Sequence, residues 1–282
     1  MFLRKLSLST WTALALLGAA AATSWAGPIY SWNWNAGDPG SVSHNGGKIN
    51  WVETTFDTNT NTLSWYGNFG NSTRLRTDGF TLTLRSGDSP RTAAGEVTQL
   101  FFDARGISAN PAEVPKLTAY GHNGLTYYSS YMDGAPQAGI QTPDRIATST
   151  PPASAWVQSL TAQVNGDGSR TLGFEIDVTD IVDHTPSWPG SGAWTGAGYG
   201  ESIGLYMQTF GGLNTSYDEG YLTSWTRSAE GYLEISNGAT GTVTNPVPEP
   251  ATVTRCSGWA WRDCSGLCMR KRRKPDECER VG

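Results

Sequence analysis

Between residues 160 and 181 the chain alternates, and that alternation limits what it can fold into. Leu160-Thr161-Ala162-Gln163-Val164 leads into Asn165-Gly166-Asp167-Gly168 and then into Thr171 to Ile181. In an extended chain, Leu172, Phe174, Ile176 and Val178 fall on one side, and Glu175, Asp177 and Thr179 on the other. Such a pattern suits an antiparallel sheet with one dry face and one wet face. Asn165-Gly166 suits a tight reversal, because both central residues of the favoured turn need positive φ. The segment is predicted to be a β-hairpin.

The same alternation recurs along the chain. Ile49 to Phe56 is β-branched and aromatic, Asp57 to Asn61 is turn material, and Leu63 to Phe69 resumes the pattern. Gly79 to Leu84, Val97 to Phe102, Lys116 to Tyr120, Ser202 to Phe210, Tyr221 to Trp225 and Gly231 to Ser236 read as further strands. No amphipathic helix stands out between them. Many short strands with Gly-rich turns predict an all-β fold, a single β-sandwich or jelly-roll-like (lectin-like) domain. Ser149 to Ala155 and Pro186 to Gly200 read as long loops inside it.

The ends of the chain have a different character. Met1 to Ala26 carries Arg4 and Lys5, a short apolar core and Ser24-Trp25-Ala26, the layout of a signal peptide cleaved after Ala26. Its strongly apolar run is about 12 residues, against the ~20 that a spanning helix needs. The expected organisation is therefore a signal peptide at 1–26, a β-sandwich at 27–236, a stalk at 237–250 and a C-terminal tail at 251–282. All four cysteines, Cys256, Cys264, Cys268 and Cys278, lie in the tail. The domain gains no stability from disulfides and must bury an apolar core instead.

Charge excludes some partners. Between Gly27 and Pro250 there are ten basic and twenty-one acidic residues, a formal net charge of −11. Such a surface repels nucleic acid and anionic lipid, but not neutral glycans or cations.

The tail resembles a known family. Pro248-Glu249-Pro250, followed by the basic cluster Arg270, Lys271, Arg272, Arg273 and Lys274, resembles the PEP-CTERM sorting signal. The resemblance implies a bacterial protein, an exosortase-type processing enzyme as partner, and only transient contact with the membrane through the tail. It implies a destination at the cell surface or in the extracellular matrix. That signal also carries an apolar stretch between its two motifs, where this chain has Arg255 to Gly266. Arg255, Arg262 and Asp263 oppose insertion at roughly 2.5–3.5 kcal/mol each at the bilayer centre. With GC-rich codons and a start one base earlier, Arg255 to Gly266 reads Ala-Leu-Leu-Gly-Leu-Gly-Leu-Ala-Gly-Leu-Leu-Gly, an apolar segment of the expected kind. The rival reading is a disulfide or metal tail, but the cysteine spacing fits no zinc pattern well.

Several constellations in the domain bear on chemistry. Glu175-Ile176-Asp177-Val178-Thr179-Asp180 resembles the E-x-D-x-x-E strand of laminarinase-like glycosidases, with Asp where that pattern ends in Glu. The resemblance makes Glu175 and Asp177 candidate catalytic carboxylates on one strand face. Asp57, Asn59 and Asn61 have the first spacings of a calcium loop without its glycine or terminal Glu, so Ca2+ is a candidate cofactor. Trp32, Trp34, Tyr127 and Tyr128 are candidate rings for stacking on sugars. The expected function is a non-enzymatic surface or matrix protein associated with exopolysaccharide. The alternatives are a carbohydrate-active enzyme and a purely structural surface protein. Resequencing the locus across codons 255–266 is expected to reveal compensating frameshifts flanking an apolar reading; an unshifted Trp-Cys-rich reading would refute that account.

Overall fold

The computed structural model describes residues 26–70, 76–90, 97–106, 114–122, 144–151, 154–184 and 196–245. Fifteen strands account for nearly all the regular structure. One sheet has six strands in the order β15 (Thr242–Thr244), β1 (Ile29–Asn35), β3 (Lys48–Asp57), β4 (Thr62–Gly70), β10 (Arg170–Asp177), β9 (Val157–Val164). The other has seven, ordered β2 (Ser41–Ser43), β14 (Ala229–Thr240), β11 (Ser202–Gly211), β5 (Thr77–Ser86), β6 (Val97–Asp103), β7 (Lys116–His122), β8 (Asp144–Thr148). A separate hairpin joins β12 (Asn214–Asp218) to β13 (Tyr221–Thr226). Every pairing is antiparallel, and the two large sheets pack face to face as an all-β sandwich.

The alternation in the sequence builds the core. Trp32, Trp34, Val52, Phe56, Leu63, Trp65, Phe69, Leu172, Phe174 and Ile176 point inward from the first sheet. Phe80, Leu82, Leu84, Leu100, Phe102, Leu205, Met207 and Leu233 meet them from the second. Phe80 stacks on Phe102 at 5.1 Å and on Phe69 at 6.1 Å, so it touches rings of both sheets. Arg170, at the start of β10, also links the layers: its Nη1 donates to the Thr77 carbonyl at 2.6 Å and to Asp78 Oδ1 at 2.9 Å on β5.

A smaller core lies on the other face of the second sheet. There the β12–β13 hairpin covers Phe101, Tyr120 and Phe210 with Leu213, Leu222 and Trp225. Asp103, 4% exposed, fastens it, accepting from Thr215 Oγ1 at 2.8 Å, Tyr217 Oη at 2.7 Å and Arg105 Nε at 3.2 Å. Burial beside that carboxylate pushes the Tyr217 phenol far above its ordinary value. Among the described residues, the second sheet is therefore covered in part on its other face as well, whereas nothing packs on the outer face of the first.

Two expectations are corrected. The strand expected over Thr171 to Ile181 stops at Asp177, whose Oδ1 accepts from Thr179 N at 2.9 Å and Thr179 Oγ1 at 2.6 Å. Those bonds turn the chain into a single helical turn, α1 (Thr179–Val182). The stalk expected over residues 237–250 is strand up to Thr244, because β14 runs on to Thr240 and β15 pairs with β1, Thr244 opposite Ile29. Residues of that range beyond 245, the signal peptide through 25 and the tail 251–282 lie outside the described residues. Among the described residues no helix is long and apolar enough to cross a membrane.

Asp103→Ala leaves four donors, Thr215 Oγ1, Tyr217 Oη, Arg105 Nε and Arg105 N, without their acceptor. It is expected to lower stability by about 2–4 kcal/mol. Hydrogen exchange should rise most in β12 and β13; uniform loss of protection across both sheets would contradict a local clamp.

Candidate functional site

The open outer face of the first sheet carries the side chains that alternation sends away from the core. Pairing sets them in rows. Asn35, Trp51, Asn68 and Thr171 stand opposite one another, then Asn33, Glu53, Tyr66 and Gly173, then Ser31, Thr55, Ser64 and Glu175. The middle of this surface is a shallow groove of about 550 Å³, lined by Asn33, Trp51, Glu53, Tyr66 and Glu175 among others. That volume falls within the range of small-ligand sites.

Two local devices shape the surface around its aromatic rings. The first is a β-bulge. Ile49 pairs with Phe69 and Trp51 with Asn68, so Asn50 is an extra residue in β3. Ile49 and Val52 are both buried, and Asn50 and Trp51 both turn outward between them. Trp51 keeps the alternation of Val52, Thr54 and Phe56, and the bulge breaks that rhythm at Asn50, so that Ile49 returns to the buried face. Asn50 Nδ2 donates to Asn68 Oδ1 at 2.7 Å, and Asn68 Nδ2 donates to Ser169 Oγ at 3.2 Å, which anchors the bulge across β4.

The second device is Gly173. A Cβ built on it would lie 2.3 Å from Tyr66 Cδ1 and 2.9 Å from Tyr66 Cε1. The Tyr66 ring therefore lies over the bare backbone of β10, in space that any larger residue would fill. Trp51 and Tyr66 are half-buried, each braced by the sheet and each still facing the groove. Rings held this way, beside amides and hydroxyls, suit a ligand with apolar faces and polar edges.

The residues singled out from the sequence fare differently. Trp32 and Trp34 share a face, but it is the inward one: they are 7% and 2% exposed and belong to the core, so they are corrected as stacking rings. Trp34 Nε1 donates to the Asp38 carbonyl at 3.2 Å. Tyr127 and Tyr128 lie outside the described residues, as do Pro248, Glu249, Pro250 and the basic cluster 270–274. Glu175 and Asp177 share the outer face of β10, yet only Glu175 lines the groove, while Asp177 is bound to Thr179.

Asp57, Asn59 and Asn61 sit together on the β3–β4 turn, but their polar atoms serve the turn itself. Asp57 Oδ1 accepts from Asn59 N at 2.8 Å and from Asn59 Nδ2 at 2.9 Å. Asn59 Oδ1 accepts from Gly27 N, and Asn61, at φ 51°, donates to Thr179 Oγ1 at 3.3 Å. Burial raises the Asp57 carboxyl, but the donations from Asn59 and Thr60 outweigh it and leave the group below its ordinary value. The carboxylate is held by hydrogen bonds within the turn. Among the described residues, no group of three or more His, Cys, Asp or Glu stands together as a metal-ligand set.

Sequence reading missed Trp51, Tyr66 and Glu53. Tyr66 was within reach, because it alternates against Leu63 and Trp65 and so must face outward. Trp51 was within reach in the same way, because it alternates against Val52, Thr54 and Phe56, and the bulge at Asn50 breaks the rhythm only before it.

Compared with known proteins, the chain matches no family model, no curated protein and no solved structure.

A methyl group at Gly173 also falls 2.5 Å from the Trp65 carbonyl, which the backbone cannot readily yield. Gly173→Ala is expected to lower stability in urea unfolding by about 1–3 kcal/mol. Adding Tyr66→Ala removes the ring contact but not the carbonyl contact, so it should recover only part of that loss. Full recovery, or none, would contradict the packing described.

Proposed function

We propose that this is an exported, non-enzymatic surface or matrix protein whose first sheet binds polysaccharide across its outer face. Trp51 and Tyr66 supply the stacking surface; Asn33, Asn35, Ser31 and Ser64 supply hydrogen bonds to hydroxyls at its edges. The observation that carries this reading is the open groove with two braced rings on the uncovered face of the sandwich. An open groove suits a chain, because a polymer can enter and leave along its length. The Pro248-Glu249-Pro250 motif and the basic residues 270–274 complete the proposal as a sorting signal read by an exosortase-type enzyme.

Hydrolysis is the second reading, favoured by one observation: Glu53 and Glu175 line the same groove. They stand on β3 and β10, with β4 between, so their strands are about 10 Å apart. Inverting glycosidases work with carboxyl groups roughly 6.5–9.5 Å apart. Asp177, held by Thr179, is not the partner that the sequence pattern suggested.

The test uses the purified protein with a panel of soluble and insoluble glycans, reading retention and new reducing ends together. Retention without cleavage is expected. Trp51→Ala and Tyr66→Ala should each weaken retention roughly twofold to tenfold, since stacking side chains of this kind are worth about 0.5–1.5 kcal/mol. New reducing ends that vanish in Glu175→Gln would replace this reading with the enzyme. Neither retention nor cleavage would leave a structural surface protein.

A further inference from the structure

We propose that the groove takes an amine-bearing glycan, a polysaccharide whose sugars carry free, protonated amino groups. This rests on the reading of the groove as a sugar-binding face and names the class of sugar. The groove's charge is one-sided. Glu53 and Glu175 line it, and among the described residues no Lys, Arg or His does. Neither carboxylate has a hydrogen-bond or ion-pair partner among the described residues. Other carboxylates of the sandwich are engaged: Asp78 by Arg170 at 2.9 Å, Asp103 by Tyr217 at 2.7 Å, Asp177 by Thr179 at 2.6 Å. The two groove carboxylates are available to a ligand.

Their placement fits a cation bound against an aromatic ring. Glu53 stands directly across from Tyr66 on β3, and Glu175 stands diagonally from it on β10. An ammonium group held beside Tyr66 or Trp51 meets the negative face of a ring together with a carboxylate. Hydrogen bonds from a charged donor to a charged acceptor are roughly twice as strong as neutral ones. With their strands about 10 Å apart, the two carboxylates meet amino groups on different sugars of one chain. A neutral glycan gains the stacking but leaves both charges unanswered. A uronate or sulfated chain is repelled by them and by the net charge of −11 carried between Gly27 and Pro250.

The experiment is calorimetric titration of the purified full-length protein with three probes: a fully de-N-acetylated glucosamine hexamer, cellohexaose and an oligogalacturonate. At about pH 6 the glucosamine hexamer is expected to bind roughly tenfold tighter than cellohexaose, with oligogalacturonate weakest. The preference should shrink in about 0.5 M salt, and at about pH 9, where such amines have lost their proton. Glu53→Gln/Glu175→Gln should abolish the preference for the glucosamine hexamer over cellohexaose. Asp88→Asn/Glu201→Gln, which removes two exposed charges outside the groove, should keep it. Equal binding of both hexamers by the unaltered protein overturns the amine inference and leaves the sugar-binding reading intact. A preference that survives in the groove double variant also overturns it, since attraction to the acidic surface as a whole would then be the cause. No binding of any probe overturns both.

Discussion

Phe80 touches both sheets at once, and the rest of the sandwich is arranged around that contact. Its ring stacks on Phe102 of its own sheet at 5.1 Å, on Phe69 of the facing sheet at 6.1 Å, and lies 6.5 Å from Phe174. All four rings are essentially excluded from water. A chain whose described domain holds no cysteine depends on such burial for its cohesion. Once these rings face inward, the period of two in each strand decides where every neighbouring side chain must go.

That constraint divides the labour between the sheets. The second sheet is closed on both sides, by the core on one and by the β12–β13 hairpin on the other. Asp103 holds that hairpin with bonds from Thr215, Tyr217 and Arg105. Among the described residues, the first sheet is closed on one side only. Its outer face presents the residues excluded from the core, and two irregularities shape it into a site: an extra residue at Asn50 and a missing side chain at Gly173. Each departs from ideal strand chemistry: the bulge breaks the alternation just before Trp51, and the glycine makes room for Tyr66. The glycine removes a side chain from a strand interior, where it weakens the sheet, but it opens the space in which Tyr66 rests.

The fold was legible wherever local chemistry and tertiary structure agreed. The Asn165-Gly166 reversal, the apolar run Leu172, Phe174, Ile176 and the strands around Leu63 and Phe80 all follow from periodicity and turn chemistry. Legibility failed where one side chain overrode the pattern. Asp177 ended β10 early by bonding to Thr179, although Val178 continues its apolar rhythm in the sequence. Residues 237–244 looked like a stalk because they are small and polar, but an edge strand needs only free backbone groups beside it, and β1 offers them to β15. Trp32 and Trp34 looked available because alternation shows that two residues share a face without showing which face.

The sequence alone therefore determined an all-β chain with a cysteine-free, acidic domain and ends unlike its middle, because composition and period are local properties. It also determined that Glu175 and Asp177 stand on one side of their strand. Only the tertiary structure decided which side of each strand was buried, and with it which aromatic residues were core and which were free. It brought Trp51, Glu53, Tyr66 and Glu175 together from three strands, two of them about a hundred residues apart along the chain. No local signal records that meeting, because it follows from sheet order and from a single-residue shift in register between β3 and β4.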